Sequence, residues 1–362
     1  MDDRCSAAPC YEGPPTPSST SGTAIAVGTS SDAAIIQSIE KGDLANVEDS
    51  DDTHSLTDSI RQHIVDGGLR YHAYRAGKYC FPNDDNEQSR ENLKHTLTVH
   101  LCDGEYFFAP VHEALEDGAM VLDLGTGTGQ WCIDVADRYP DSELHGMDLS
   151  PIQPDWVPEN VQFLVDDIEH EAGWTYPENH FDFIHMRHTL HSVQNRSELW
   201  ERVYSHLKPG GWFELQEFEY AAACDDDSCP DPYPWRQFCD YLGEAMAKLG
   251  SDMNGILSAE HEMRAAGLQK IHVKLSKCPV GPWAKKKKLQ ECGHILRDVV
   301  LMGLNGLARR PFRDGLHWTP AQIELHLVDV RKAITAEHNG LLVHHAYFPF
   351  RAIYGRKPLD VA

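Results

Sequence analysis

Short apolar segments alternate with helical patterns along the middle of the chain. Each apolar segment is brief and rich in branched or aromatic residues, which is typical of a strand that a sheet buries on both faces. These predicted strands span residues 120–124, 143–147, 161–165, 181–186 and 211–218. Predicted helices at about 131–139 and 197–207 separate some of them, so the alternation favours a parallel sheet with helices on both faces.

Beyond Tyr220 the same alternation becomes looser. The predicted elements there are helices at 234–249, 258–266, about 285–306 and about 320–338, a sixth strand at 269–276 and a last strand at 342–355.

An aromatic segment precedes the first predicted strand of the sheet. It leads into a predicted helix at 86–101, in which Leu93, Leu97 and Leu101 recur at a spacing of four residues. The segment either covers the mouth of a ligand site or packs on the sheet as part of the core. Its rings belong to Tyr71, Tyr74, Tyr79 and Phe81.

The first 58 residues differ in composition from the rest of the chain. They are rich in Ser, Thr, Gly and Pro, and they hold eleven acidic residues against Arg4 and Lys41, a net charge of −9. Such a segment cannot bury enough apolar surface to offset the entropy lost on ordering. We therefore predict a disordered acidic tail over residues 1–58 and one folded domain over residues 59–362.

The composition of the whole chain narrows the classes of partner. Its formal net charge is −24, which argues against a broad phosphate-binding surface and hence against a nucleic-acid partner. No uninterrupted apolar run reaches the length of a membrane span, so no membrane partner is expected. The ten cysteines are scattered without any Cys-x-x-Cys pair, which predicts reduced thiols, no metal site and an intracellular, cytoplasmic protein.

The stretch from Met120 to Tyr139 combines the features of a ligand cradle. The apolar strand 120–124 is followed by three glycines at alternate positions, Gly125, Gly127 and Gly129, and then by a helical pattern. Because glycine has no Cβ, a ligand can approach its backbone closely, and the start of a helix offers free N–H groups.

Two common phosphate-binding motifs are excluded for this cradle. The dinucleotide fingerprint requires Gly-x-Gly-x-x-Gly, but Gln130 occupies the last position, and no Gly-Lys-Ser/Thr follows for a Walker loop. Asp123, just before the turn, would also repel a pyrophosphate. An acid at this position suits a ligand whose nearby end is cationic, such as S-adenosylmethionine (SAM) with its ammonium and sulfonium groups.

The segment Asp123–Gly129 resembles motif I of the class I SAM-dependent methyltransferases. Other segments are similar to one branch of that family, the fungal LaeA-like methyltransferases, and together they cover roughly residues 70–358. The matching segments are 71–79, 82–85, 147–154, 181–187, 207–211, 281–284, 345–350 and 354–358.

This resemblance implies a fold and an activity. The expected fold is α/β, the Rossmann-like class I methyltransferase fold, with a seven-stranded, mostly parallel sheet whose last hairpin is antiparallel. Residues 59–110 would then form an N-terminal cap over the cofactor mouth, and the helical insertions in 234–340 would shape the substrate region. The expected reaction is SAM-dependent methylation of O or N in a small molecule of fungal secondary metabolism. The alternative within the branch is a nuclear regulator of secondary metabolism that acts with protein partners.

The resemblance also implies which residues bind the cofactor. Asp148 closes the second strand 19 residues after Gly129, where a carboxylate could accept both ribose hydroxyls or, instead, cap a following helix. Asp167 resembles the family's adenine contact, with Asp166 as its competitor because only one of two successive strand residues faces a ligand. The matching positions are Tyr79, Asp123, Gly125, Thr126, Gly127, Gly129, Asp148, Leu149, Asp167, Ile168 and Arg187.

Three further features remain open in the sequence. Arg187 could fix the methionine carboxylate, hold the cap or form a solvent-exposed salt bridge. His188 and His191 are candidate general bases, although methyl transfer to a good nucleophile also proceeds by placement alone. As a metal pair they lack a carboxylate ligand. The basic run 285–288 is either a nuclear signal or a solvated helix face.

Overall fold

The computed structural model describes residues 63–74 and 79–359. The predicted acidic tail, residues 1–58, lies outside the described residues. The described strands are β1 (His63–Asp66), β2 (Leu69–His72), β3 (Met120–Leu124), β4 (Glu143–Asp148), β5 (Val161–Val165), β6 (Phe181–Arg187), β7 (Leu207–Phe218), β8 (Gln269–Pro279), β9 (Glu337–His338), β10 (Leu341–Leu342) and β11 (Tyr347–Arg356). The described α-helices are α1 (Asp85–Leu101), α2 (His112–Glu116), α3 (Gln130–Arg138), α4 (Arg196–His206), α5 (Pro234–Lys248), α6 (Ile256–Ala265), α7 (Lys287–Arg310) and α8 (Pro320–Thr335).

Seven of these strands form one sheet in the order β5-β4-β3-β6-β7-β11-β8. Neighbours from β5 to β7 pair in parallel, whereas β11 is antiparallel to both β7 and β8. The predicted seven-stranded, mostly parallel sheet with a final antiparallel hairpin is therefore confirmed. From β3 the chain order continues to β4 and β5 on one side of the sheet, and from β6 it continues to β7 on the other side. This reversal of strand order places a crevice at the carboxyl ends of β3 and β6.

Helices cover both faces of the sheet, as the sequence predicted. Successive residues of β3 point to opposite sides, so Val121 packs in one core and Leu122 in another. The first core joins the sheet to α2 and α3, and the second joins it to α4 and α6. A third core holds α5, α7 and α8 together with α1.

The prediction for the last strand was wrong at its start. Residues 341–342 do not belong to β11 but pair with 337–338 in a small separate hairpin. Asn339 and Gly340 between them both have positive φ, 53° and 77°. An Asn-Gly pair in this conformation makes a tight turn whose twist suits a hairpin, so the strand of the main sheet begins only at Tyr347.

Helix α1 contains a polar stripe that the leucine pattern did not predict. Leu97 and Leu101 are buried as expected, but Glu87, Arg90 and Lys94 are also at least nine-tenths buried. Helix α1 packs along α7, where two glycines allow a close approach. A Cβ at Gly303 would lie 2.8 Å from Cδ of Arg90, and one at Gly306 would lie 2.9 Å from Cγ of Pro82.

Residues 63–74 and 79–359 contain no group of three or more His, Cys, Asp or Glu side chains arranged to hold a metal ion. The eight cysteines in these ranges are free thiols. Within the same ranges, every helix is too short or too polar to cross a bilayer.

Candidate active site

A deep cleft opens where the carboxyl ends of β3, β4, β5 and β6 meet helix α1. It encloses about 1280 Å³ of empty space, counting the part open to solvent. Ten of the eleven predicted cofactor residues line it. They are Tyr79, Asp123, Gly125, Thr126, Gly127, Asp148, Leu149, Asp167, Ile168 and Arg187.

The three glycines of the cradle have different structural roles. A Cβ at Gly127 (φ +58°) would meet no atom within 4 Å, so this residue faces the open cleft. A Cβ at Gly125 would lie 2.3 Å from the side chain of Thr189, and one at Gly129 would lie 2.3 Å from the ring of Phe163. Gly129 does not line the cleft; it packs on Phe163 just before α3, and its role as a cofactor contact stays a prediction.

Asp123 is buried at the base of the cleft with a partner that the sequence did not suggest. Its Oδ1 accepts a hydrogen bond from Nδ1 of His185 at 2.7 Å. The His185 ring stacks on Trp131 with centroids 3.8 Å apart, and burial lowers the pKa of His185. A neutral histidine orients the Asp123 carboxylate without cancelling its negative charge, so the site keeps an anion for a cationic ligand.

Asp148 has the geometry of a ribose acceptor. Its Oδ2 accepts the N–H of Gly127 at 2.8 Å and its Oδ1 accepts the N–H of Ser150 at 2.9 Å. A carboxylate offers about four acceptor positions, so each oxygen keeps one for a hydroxyl. Burial raises the pKa of Asp148 to about 6. The alternative helix cap is excluded, because residues 149–160 contain no helix.

Asp166 and Asp167 both line the cleft. Strand β5 ends at Val165, so the alternation rule that was expected to separate these two residues does not apply to them. Oδ1 of Asp167 accepts the N–H of Glu169 at 2.9 Å, and Oδ1 of Asp166 accepts the N–H of Asp167 at 2.7 Å. Backbone bonds thus fix both carboxylates at the cleft wall beside Ile168.

Arg187 connects the end of β6 to helix α1. Its Nη2 donates to Nδ1 of His95 on α1 at 2.6 Å, and Nε2 of His95 contacts Asp134 on α3 at 2.9 Å. Burial lowers the pKa of His95, which agrees with a neutral ring that accepts at Nδ1 and donates at Nε2. The solvent salt bridge is excluded. Nη1 of Arg187 is buried without a hydrogen-bond partner, so a donor remains for an anionic group in the cleft.

Helix α1 lines the cleft with ion-paired side chains, Glu87, Glu91 and Lys94. Arg90 binds Glu87 through Nε at 2.8 Å and also contacts Glu91. Nζ of Lys94 donates to Glu91 at 2.8 Å. Burial raises the pKa of Glu91, but the adjacent Lys94 and Arg90 outweigh burial and hold it at about 2. Because these pairs lie within one helix, opposite charges on α1 itself offset the desolvation cost of the charges that it buries.

The two candidate bases lie in different places. His188 lines the cleft, whereas His191 does not. The His191 ring lies behind the cleft wall, 5.7 Å from the Phe81 ring and 6.5 Å from the ring of Tyr79. His188 contacts Thr98 and Glu217 through its two ring nitrogens. Burial, and next the Lys94 ammonium, lower the pKa of His188 to about 4. Its ring is therefore neutral at pH 7.

The sheet order, the glycine cradle and the acidic residues at the ends of the strands define a class I SAM-dependent methyltransferase. The open face of Gly127, the spare acceptor positions of Asp148 and the unpaired Nη1 of Arg187 fit this cofactor.

Comparison with known proteins gives the family. The family described as "Methyltransferase domain" matches residues 94–273. The chain is 36% identical over 305 residues to methyltransferase pytC of Aspergillus terreus, covering 84% of this chain and 91% of that protein. It is 32% identical over 312 residues to protein-methionine methyltransferase laeA of Emericella nidulans, covering 84% and 79%. It is 30% identical over 295 residues to secondary metabolism regulator LAE1 of Cochliobolus heterostrophus, covering 81% and 94%. The chain belongs to the LaeA-like family of fungal methyltransferases.

Proposed function

We propose that this enzyme methylates an oxygen or nitrogen atom of a small molecule in fungal secondary metabolism. The lining of the cleft beneath α1 carries the proposal. Beside the predicted cofactor residues it includes His188 and side chains of α1 such as Glu91 and Lys94, and these groups can contact an acceptor next to the cofactor. The similarity to a protein named methyltransferase pytC supports the same interpretation.

SAM supplies an electrophilic methyl group when it is bound. In our proposal, Asp148 binds the ribose hydroxyls of SAM, and Asp167 binds the adenine amine beside Ile168. Nη1 of Arg187 binds the carboxylate of the methionine part of SAM. Helix α1 shields the reacting atoms from water, and water exclusion strengthens each of these electrostatic contacts. His188 is neutral at pH 7, so it is able to accept a proton from a hydroxyl or amine of the acceptor.

A second candidate function is a regulator that acts through protein partners, in the nucleus as well as the cytoplasm. Similarity to a protein named secondary metabolism regulator LAE1 favours it. The basic run at the start of α7 supplies a candidate nuclear signal. However, Lys288 pairs with Asp103 at 2.6 Å and Lys287 lies 3.6 Å from Glu291, so these two lysines also fit a solvated helix face.

One labelling experiment separates the two functions. The protein is incubated with SAM carrying a tritiated methyl group and a panel of phenols, enols and amines, and separately with a fungal nuclear extract. Label that enters a small molecule supports the first function. Label found only in protein, with none in any panel compound, supports the second. Gly127→Ala is the matched control, because it should lose labelling in both arms while remaining folded.

A further inference from the structure

The backbone of His188 has an unusual conformation for a residue with a side chain. Its φ is +56°, in the left-handed region, which costs an L-residue about 1–2 kcal/mol. The His188 N–H donates to the carbonyl of Gln216 at 3.0 Å, and its ring stacks on Phe218 with centroids 5.3 Å apart. The fold therefore holds this ring in one orientation at the cleft wall, and such strain is often found at functional sites.

A buried carboxylate lies behind the ring. The Glu217 side chain is 1% exposed, and its Oε1 is 3.3 Å from Nδ1 of His188. Burial raises the pKa of Glu217, but the hydrogen-bonded His188 ring opposes burial, and the net result is a lowered pKa. An ionised carboxylate only accepts hydrogen bonds. The hydrogen between the two groups is therefore on Nδ1, and Nε2 of His188 carries the lone pair.

The second oxygen of Glu217 faces the other candidate histidine. Oε2 is 3.8 Å from Nδ1 of His191, too far for a hydrogen bond, and both atoms are buried without a hydrogen-bond partner. Glu217 thus lies between the two histidines that the sequence singled out, although only His188 reaches the cleft.

The contact of Nε2 with Thr98 does not consume its lone pair. Oγ1 of Thr98 is 3.1 Å from Nε2 and 3.0 Å from the carbonyl of Lys94. A hydroxyl has a single hydrogen, so it donates to only one of these acceptors at a time. When it donates to the Lys94 carbonyl, Nε2 is available to another donor and no polar group of the helix loses its partner.

The charges that face His188 come from three elements. Lys94 and Glu91 belong to α1, Arg187 precedes His188 at the end of β6, and Glu217 belongs to β7. The two cations disfavour a proton on the ring and the two carboxylates favour one. Of these groups, Glu217 is the one that has a hydrogen-bonding atom opposite a ring nitrogen.

We propose that Glu217 is a positioning residue that holds His188 in its Nδ1-protonated form and so keeps Nε2 as the acceptor for the proton of the substrate's nucleophile. This inference rests on the proposed methylation of an O–H or N–H group. The proton moves from that group to Nε2, His188 becomes an imidazolium between the cleft and Glu217, and the proton later passes to solvent. The Glu217 carboxylate stabilises this imidazolium and remains ionised.

The test reads the tautomer directly. Long-range proton–nitrogen NMR spectra are recorded between pH 5.5 and 8 on protein labelled with ¹⁵N-histidine and saturated with S-adenosylhomocysteine. His188→Gln assigns the resonance. We expect the wild type to show Nδ1 protonated and Nε2 unprotonated throughout. Glu217→Met removes the acceptor and should shift the hydrogen mainly to Nε2, whereas Glu217→Gln keeps an acceptor oxygen and should preserve the Nδ1 form.

A kinetic measurement completes the test, using the panel compound that is methylated fastest. Glu217→Met should lower kcat at least tenfold with the KM for SAM within threefold, and Glu217→Gln should restore most of the rate. A wild-type ring protonated at Nε2 would overturn the proposal even if the Met variant fails to fold. So would an unchanged tautomer and kcat in Glu217→Met. If no panel compound is methylated, the proposed function is refuted, whereas the tautomer result still tests the role of Glu217.

Discussion

Cofactor affinity should depend on pH through Asp148. Its carboxylate already accepts two backbone N–H groups, and the ribose hydroxyls would take the remaining acceptor positions. Burial raises the pKa of this group to about 6 in the unliganded protein. A protonated carboxyl loses its charge and part of its acceptor capacity. Binding should therefore weaken as the pH falls through 6 and be constant well above it.

The size of the effect follows from the ionised fraction. For a pKa of about 6, that fraction is about 0.97 at pH 7.5 and about 0.09 at pH 5.0. If only the ionised form binds, the affinity for S-adenosylhomocysteine falls about tenfold between these values, or about 1.4 kcal/mol. With an ordinary aspartate pKa near 3.9, the same change of pH would alter affinity by less than about 10%.

Isothermal titration calorimetry with S-adenosylhomocysteine from pH 5.0 to 7.5 measures this dependence. Asp148→Asn is the matched variant, because it keeps the shape but cannot ionise. Its affinity should be lower at pH 7.5, by about 1.5–3 kcal/mol for a charged hydrogen bond, and nearly flat with pH. A wild-type affinity that does not change across this range would refute the reasoning. An equal slope in Asp148→Asn would assign the dependence to another group.

Three further changes test the cleft. Gly127→Ala places an L-residue at φ +58°, which costs about 1–2 kcal/mol, but its Cβ meets no atom within 4 Å, so the protein should stay folded. The substitution should weaken S-adenosylhomocysteine binding at least tenfold in calorimetry; retained affinity would contradict the cradle. Tyr79→Ala should weaken cofactor binding if the Tyr79 ring covers the mouth of the cleft, whereas Tyr79→Phe should not. If both variants bind the cofactor with the same affinity in calorimetry, the ring serves only as core packing. Arg90→Met leaves the carboxylates of Glu87 and Glu91 without their shared cation, so urea unfolding should show a loss of about 3–5 kcal/mol; a loss below 1 kcal/mol would show that these charges are solvated.

The parallel core of the fold was predictable from sequence because its signal is local. Strands buried on both faces are short apolar runs, and β3 and β5 have the predicted bounds. The hairpin β1–β2 was missed, since its four-residue strands are too short for a periodic pattern and only Gly67-Gly68 marks the turn. The Asn339-Gly340 turn was a readable signal that the prediction of one long final strand ignored.

For the candidate site, too, the features with a local sequence signal were predictable and those that depend on distant residues were not. The glycine turn and Asp148 were predicted because they lie in contiguous motifs at strand ends. The pairs that tune the site join residues far apart in the chain, such as Arg187 with His95 and Asp123 with His185. One sequence gives no measure of which distant side chains meet. It also could not show that Gly129 packs against the ring of Phe163.

The close packing of α1 on α7 has a consequence for how acceptor range can change. Helix α1 lies between α7 and the cleft, and Gly303 and Gly306 set its distance from α7. A methyl group at Gly303 would press on Arg90 of α1, and one at Gly306 would press on Pro82 just before α1. Either change would push this segment toward the cleft and narrow the space beside the cofactor. Divergence toward smaller acceptors could therefore arise from α7 without altering any residue that a ligand touches. Libraries aimed at new acceptors should vary these two positions together with the cleft wall.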